Sequence, residues 1–153
     1  MTPEQKLAAL GIELPASTAP LGAYLPVQRT GDLLFLSGLL PLADGKLLKT
    51  GKIGDQVTAE EGVRLARAVA INALAVLKSH LGELAKVRKC VKITGYIASA
   101  PGFTGQAAVL NGASELLVQV FGDSGRHARA AVGVSVLPLD SPLEADFIFE
   151  AGE

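Results

Sequence analysis

The chain predicts an α+β domain: a mixed β-sheet with two main helices packed on one face, plus a short N-terminal helix. Three observations lead there. Its 153 residues are about one domain's worth. Two long segments repeat apolar residues at helical spacing, and the segments around them are short apolar or alternating runs bounded by turn residues. The segments follow in the order β, β, α, β, α, β, β, which is not the regular alternation of a doubly wound sheet.

Residues 1–10 read as the short helix. Thr2 suits the N-cap, Pro3 the first helical position and Gln5 the far side of a capping box. Gly11 ends the helix, and Pro15, Ser17, Thr18 and Pro20 mark an irregular arm. The expected organisation is a helix and arm over 1–19 and a single domain over 20–153, with no second domain ahead of it.

Leu33-Leu34-Phe35-Leu36-Ser37-Gly38 is an apolar run closed by glycine, the pattern of a buried strand. Asp44-Gly45 is a hairpin turn signal, and residues 46–53 are expected to return as an edge strand blunted by its lysines. Thr58-Ala59-Glu60-Glu61 reads as a capping box. Leu65, Ala66, Val69, Ala70, Ala73, Leu74 and Leu77 then form a continuous stripe, which predicts a helix over 59–80 stopped near Gly82. Residues 89–99 read as a strand and Pro101-Gly102 as a loop. A second helix over 106–121 carries Ala107, Leu110, Ala113, Leu117 and Val120 on one stripe. Residues 128–137 form a β-rich run ended by Pro138, and Asp140-Ser141-Pro142 is a turn. Residues 143–150 alternate, with Ala145, Phe147 and Phe149 on one face of a final strand.

Composition narrows the functional classes. The chain is 49% apolar and only 19% charged, with mean hydropathy +0.38. An average soluble domain has ~25% charged residues, so surplus apolar surface is expected in a subunit interface. Net charge is −1, from 14 basic and 15 acidic residues, so no strong field draws nucleic acid or an anionic membrane. One cysteine, Cys90, permits no intrachain disulfide, which fits a reducing compartment. With His80 and His127 it does not make a closed zinc site of the usual kind. The N-terminus lacks the order of a signal peptide, and no apolar run reaches the ~20 residues of a membrane span. A cytoplasmic location, in a bacterium, is the expectation.

Few residues stand out chemically. Cys90 lies inside a predicted strand with no nearby histidine and reads as a packing thiol. His80, near a helix C-terminus, reads as a dipole-compatible surface residue. Gly122-Asp123-Ser124-Gly125 reads as a turn after a helix, not a phosphate cradle. Residues 125–134 differ: Arg126, His127 and Arg129 stand directly before an apolar strand. A guanidinium at a strand's start is held rigidly and can capture a carboxylate with two parallel hydrogen bonds. From composition alone a surface ion pair is the commoner role for such a residue, and Glu144 is the natural carboxylate neighbour.

Four short stretches carry a family resemblance: Ala19-Pro20-Leu21-Gly22-Ala23-Tyr24, Leu36-Ser37-Gly38, Ala128-Arg129-Ala130-Ala131-Val132, and Leu137-Pro138 followed by Leu143-Glu144. Their order and spacing resemble the YjgF/RidA family of enamine/imine deaminases, some of whose members carry an endoribonuclease label, over about 20–150. The N-terminal helix and arm resemble a longer subgroup. The resemblance implies a chorismate-mutase-like fold, a homotrimer, and ligand clefts between subunits. It implies that Arg129 grips a substrate carboxylate and that Glu144 is the acid near the reacting water. Tyr24 and Ser37 match cleft residues, and Asn111 matches one more loosely because its spacing to Arg129 is one residue longer. Two positions depart from the pattern: Ala131 stands where the family often has cysteine, and His127 where it commonly has proline.

The implied reaction is hydrolysis of a 2-imino acid without metal or organic cofactor. Arg129 orients the substrate and Glu144 moves protons to or from water and ammonia. A backbone amide and carbonyl at Ala131 suffice for positioning, since the hydrolysis needs no covalent step. The alternative is a non-enzymatic protein that binds a small carboxylic acid on the same trimer. An endoribonuclease finds no basic stripe with stacking aromatics here. A true chorismate mutase would rest on fold analogy alone.

Overall fold

The computed structural model describes residues 1–17 and 22–153. In chain order the elements are α1 (Pro3–Ala9), β1 (Val27–Thr30), β2 (Leu33–Leu39), β3 (Leu42–Ala43), β4 (Lys46–Leu47), α2 (Ala59–Leu81), β5 (Val87–Ala98), α3 (Gln106–Phe121), β6 (Ala128–Val134) and β7 (Leu143–Ala151). This is the α+β fold expected: one mixed five-stranded sheet, ordered β1-β2-β7-β5-β6, with α2 and α3 on one face. All pairs are antiparallel except β5 with β6. A parallel pair needs a crossover, which α3 supplies.

The core lies between the helices and that face. Strand alternation sends Leu143, Ala145, Phe147, Phe149 and Ala151 of β7 inward, each at most 1% exposed. Ile93 and Ile97 of β5 join them, under Leu74 and Leu77 of α2 and Leu110, Leu116 and Leu117 of α3. Gly112 brings α3 against the Val63 carbonyl of α2, an approach that leaves no room for a Cβ. Cys90 is buried in this core as expected, and burial pushes its thiol up to about 12.

Both halves of the Thr2 capping box form: Thr2 Oγ1 accepts from the Gln5 amide at 3.1 Å, and Gln5 Oε1 from the Thr2 amide at 2.8 Å. Leu7 is buried. Glu4 Oε1 accepts from the Leu84 amide at 2.7 Å and from Lys78 Nζ at 3.1 Å, tying α1 to the end of α2. Of the arm residues, Thr18 and Pro20 lie outside the described residues.

Four expectations need correction. Residues 46–53 are not an edge strand of the sheet. Only Lys46–Leu47 is extended, and it pairs with Leu42–Ala43 in a separate hairpin turned by Asp44 (φ 52°) and Gly45 (φ 77°). Beyond it the chain leaves the hairpin because Ile53 is drawn into the core and bridges Ser99. The true edge strand beside β2 is β1, which the sequence pattern missed because only Val27 of its four residues is buried. The Thr58 box is half formed: Thr58 Oγ1 accepts from the Glu61 amide, but the Glu61 carboxylate turns to Lys49 instead. Lastly, β6 stops at Val134, ahead of a turn in which Leu139 (φ 61°) and Asp140 (φ 60°) are left-handed.

Candidate functional site

The chemistry-bearing residues fall on both faces of the sheet. On the helix face, Arg129 pairs in register with Ile93 and turns toward α3. Its Nη1 donates to Ser114 Oγ at 3.1 Å and its Nη2 to the Ala107 carbonyl at 3.0 Å. Two of five guanidinium donors are thus used to hold the fork rigid, and among the described residues no partner takes the others. Arg129 lines an open groove with Asn111, Ser114, Val118, Arg126 and His127, of about 440 Å³. Those residues include no carboxylate.

His127 is fixed from both sides. Its Nδ1 lies 2.6 Å from the Gly125 carbonyl and its Nε2 2.8 Å from Ser114 Oγ. Gly125 makes this possible: a Cβ there would stand 2.6 Å from the Leu117 carbonyl carbon, so only glycine lets this segment lie against α3. Ala131, two residues beyond Arg129 on the same side of β6, is half-buried and pairs with Gly95.

On the opposite face, Glu144 pairs in register with Tyr96, and Asp146 with Thr94. Tyr96 Oη donates to Asp146 Oδ2 at 2.8 Å. That hydrogen bond, helped by burial and by the charges of Asp146 and Glu144, raises the Tyr96 hydroxyl above its ordinary value. Burial, with a contribution from the neighbouring Asp146 charge, raises the Glu144 carboxyl above the usual carboxylate value. Glu144 lies over Gly38, where β2 and β7 slip register between Leu36 and Leu39, and a Cβ at Gly38 would collide with its carboxyl.

Of the residues expected to share a site, one chain brings together Arg129, His127 and Asn111. It keeps Glu144 on the other face. Ser37 is on β2, separated from β6 by β7 and β5, a gap of about 14 Å at ~4.8 Å per strand. Ser37 Oγ donates to the Leu25 carbonyl at 2.6 Å, and Tyr24 is half exposed. Ser114, Tyr96 and Asp146 escaped the sequence reading. Ser114 left one signal, a polar residue one helical turn after Asn111 on the stripe-free side of α3.

A family model described as "YjgF/chorismate mutase-like, putative endoribonuclease" matches residues 4–150. The chain belongs to this family. It is 42% identical over 145 residues to the protein TCP17 of Trypanosoma cruzi, covering 94% of this chain and 91% of that one. Among solved structures it is similar to Atu1372 of Agrobacterium tumefaciens, with TM-score 0.90, 42% identity, and 98% and 92% of the two chains covered. It is also similar to a protein of Shewanella oneidensis described as a putative endoribonuclease, with TM-score 0.95, 37% identity, and 98% and 99% covered. Among the described residues no helix is long and apolar enough to cross a membrane.

Proposed function

We propose that the protein hydrolyses a small 2-imino or enamino acid to the keto acid and ammonia without a cofactor, in clefts between the subunits of a homotrimer. The observation that carries this reading is Arg129: braced by Ser114 and Ala107, it faces an open groove with donors to spare. A pre-oriented guanidinium captures a carboxylate with little loss of side-chain entropy. It thereby fixes the imine carbon relative to the attacking water. Glu144 is the proton-transfer group, its carboxyl shifted toward neutrality by burial. Arg129 and Glu144 lie on opposite faces of one sheet, so in this reading the second carboxylate reaches the cleft from a neighbouring chain. The exposed apolar side chains Phe35, Val132, Val136 and Leu139 provide surface for such a neighbour.

The test is release of ammonia and keto acid from 2-imino acids generated in solution. Arg129→Ala and Arg129→Lys should each lose activity by roughly 100-fold or more, since an ammonium cannot make the planar two-point contact. Undiminished turnover in either variant would rule out the carboxylate grip.

Ala131 supports a second reading, a non-enzymatic carboxylate binder, because this position carries no thiol that could take part in chemistry. A 2-keto acid bound at Arg129 with no turnover of any imino acid decides for it. The endoribonuclease activity in the relatives' descriptions is not our reading for this chain. Glu144, Asp146 and Glu150 line one face of β7 and would repel a phosphate backbone.

A further inference from the structure

We propose that Ser114 and His127 form a nucleophile–base pair, and that the groove they share with Arg129 catalyses acyl transfer from short esters whose acyl part carries a carboxylate. This goes beyond the deaminase reading and does not depend on Glu144.

The hydrogen bonds around His127 admit one arrangement of the neutral ring. A carbonyl oxygen can only accept, so the contact with Gly125 places the ring proton on Nδ1. Nε2 is then an acceptor, and the only proton available across its 2.8 Å contact with Ser114 is the hydroxyl's own. The serine O–H therefore points at an unprotonated imidazole nitrogen, while a backbone carbonyl holds the far side of the ring. That is the geometry by which an imidazole activates a hydroxyl nucleophile.

Arg129 adds a third element. Its Nη1 donates to Ser114 Oγ at 3.1 Å, so a positive charge touches the atom that must become an alkoxide. Packing alone gives no reason for this convergence: a serine on the outer side of α3 could cap its own helix carbonyls or face water. Here it accepts from one residue and donates to another, both on the chain segment that enters β6. Asn111, one helical turn before Ser114, lines the same groove and offers an amide to the developing oxyanion. The unused donors of Arg129 supply the positive charge that selects a carboxylate-bearing acyl group, while Arg126, ion-paired with Asp123 at 3.7 Å, stands at the rim of the groove.

The step balances within these residues. Ser114 Oγ forms a bond to the acyl carbon as its proton passes to His127 Nε2. The bond from that carbon to the alcohol oxygen breaks, and the leaving alkoxide takes the proton from His127. Water then attacks the acyl-serine and gives its proton to His127, which returns it to Ser114 Oγ as the free acid departs.

The experiment uses the full chain and a serine-directed fluorophosphonate, which needs neither an imine substrate nor Glu144. Mass spectrometry should find a single adduct on Ser114. Ser114→Ala should abolish it, and His127→Gln and His127→Asn should each slow its formation roughly 100-fold, with circular dichroism showing both folded. Ser124→Ala, on the neighbouring turn, should label at the wild-type rate. The chain should also hydrolyse mono(4-nitrophenyl) succinate faster than 4-nitrophenyl acetate, with the preference lost in Arg129→Gln. No adduct on Ser114, or labelling as fast in folded His127→Gln as in the wild type, would overturn the proposal. Loss of imine hydrolysis with Ser114 labelling intact would fail the deaminase reading alone.

Discussion

The two faces of the sheet are built from the same strands and obey opposite rules. In β7, Phe147 and Phe149 turn to the helices and are at most 1% exposed, while Glu144, Asp146, Ile148 and Glu150 alternate with them on the open face. On the helix face Phe147 belongs to the buried apolar cluster and pairs in register with Leu36 and Ile93. On the open face, carboxylates, a tyrosine hydroxyl and the half-exposed Phe35 and Val132 share a surface that one chain leaves uncovered. Stability therefore resides on one side. The other side is free to carry charge and surface for assembly, because alternation isolates it from the core.

The sharpest test of that division is on the covered side. Phe147 stacks on Phe149 with ring centroids 6.0 Å apart and is only 1% exposed. Phe147→Ala should cost about 3–5 kcal/mol, read from the midpoint of urea unfolding. A cost below ~1 kcal/mol would mean that the helix face is not the stabilising core.

On the open side the same kind of substitution should leave the fold and break the assembly. Phe35, 40% exposed, faces away from the helices beside Ile148 of β7. Phe35→Glu should change the stability of the single chain by no more than about 1 kcal/mol. It should shift the sedimentation mass from that of the proposed trimer to a single 15.7 kDa chain. Persistence of the trimer would place its interface elsewhere.

The apolar core was legible in the sequence, and the polar groove beside it, between α3 and β6, was not. Alternation in β7 and the stripes of α2 and α3 are local patterns, and burial enforces them residue by residue. Arg129 and His127 were visible as charges crowded before a strand, yet their partner was hidden. Ser114 is thirteen residues from His127 and fifteen from Arg129. Only the crossover through α3, and the close approach of Gly125 to that helix, bring them together. β1 escaped because Gln28, Arg29 and Thr30 carry no apolar pattern; its pairing with β2 is made by backbone hydrogen bonds, which sequence does not display. The strand expected over 46–53 failed for the converse reason: its lysines fit an edge, but Ile53 is fully buried in the core and bridges Ser99 instead.

The smallest expected effect separates charge from packing on the open face. Glu144 has its folded pKa raised, by burial and then by Asp146, from an ordinary value of 4.5. Folding therefore favours the protonated form. The stabilising contribution of that proton is fully present below about 4.5 and is lost as pH rises through the higher, folded value. Glu144→Gln keeps the shape and removes the charge. Its stability relative to the wild type should be flat below that pH and then increase with pH, levelling off once the folded carboxyl is ionised. Because Glu144 is half-buried and partly screened, the plateau should be a few tenths of a kcal/mol. Denaturation midpoints of the two proteins at a series of pH values measure it. A variant that falls below the wild type as pH rises would show that the ionised carboxylate is stabilised in the fold, and so would place a cationic partner against it from a neighbouring chain.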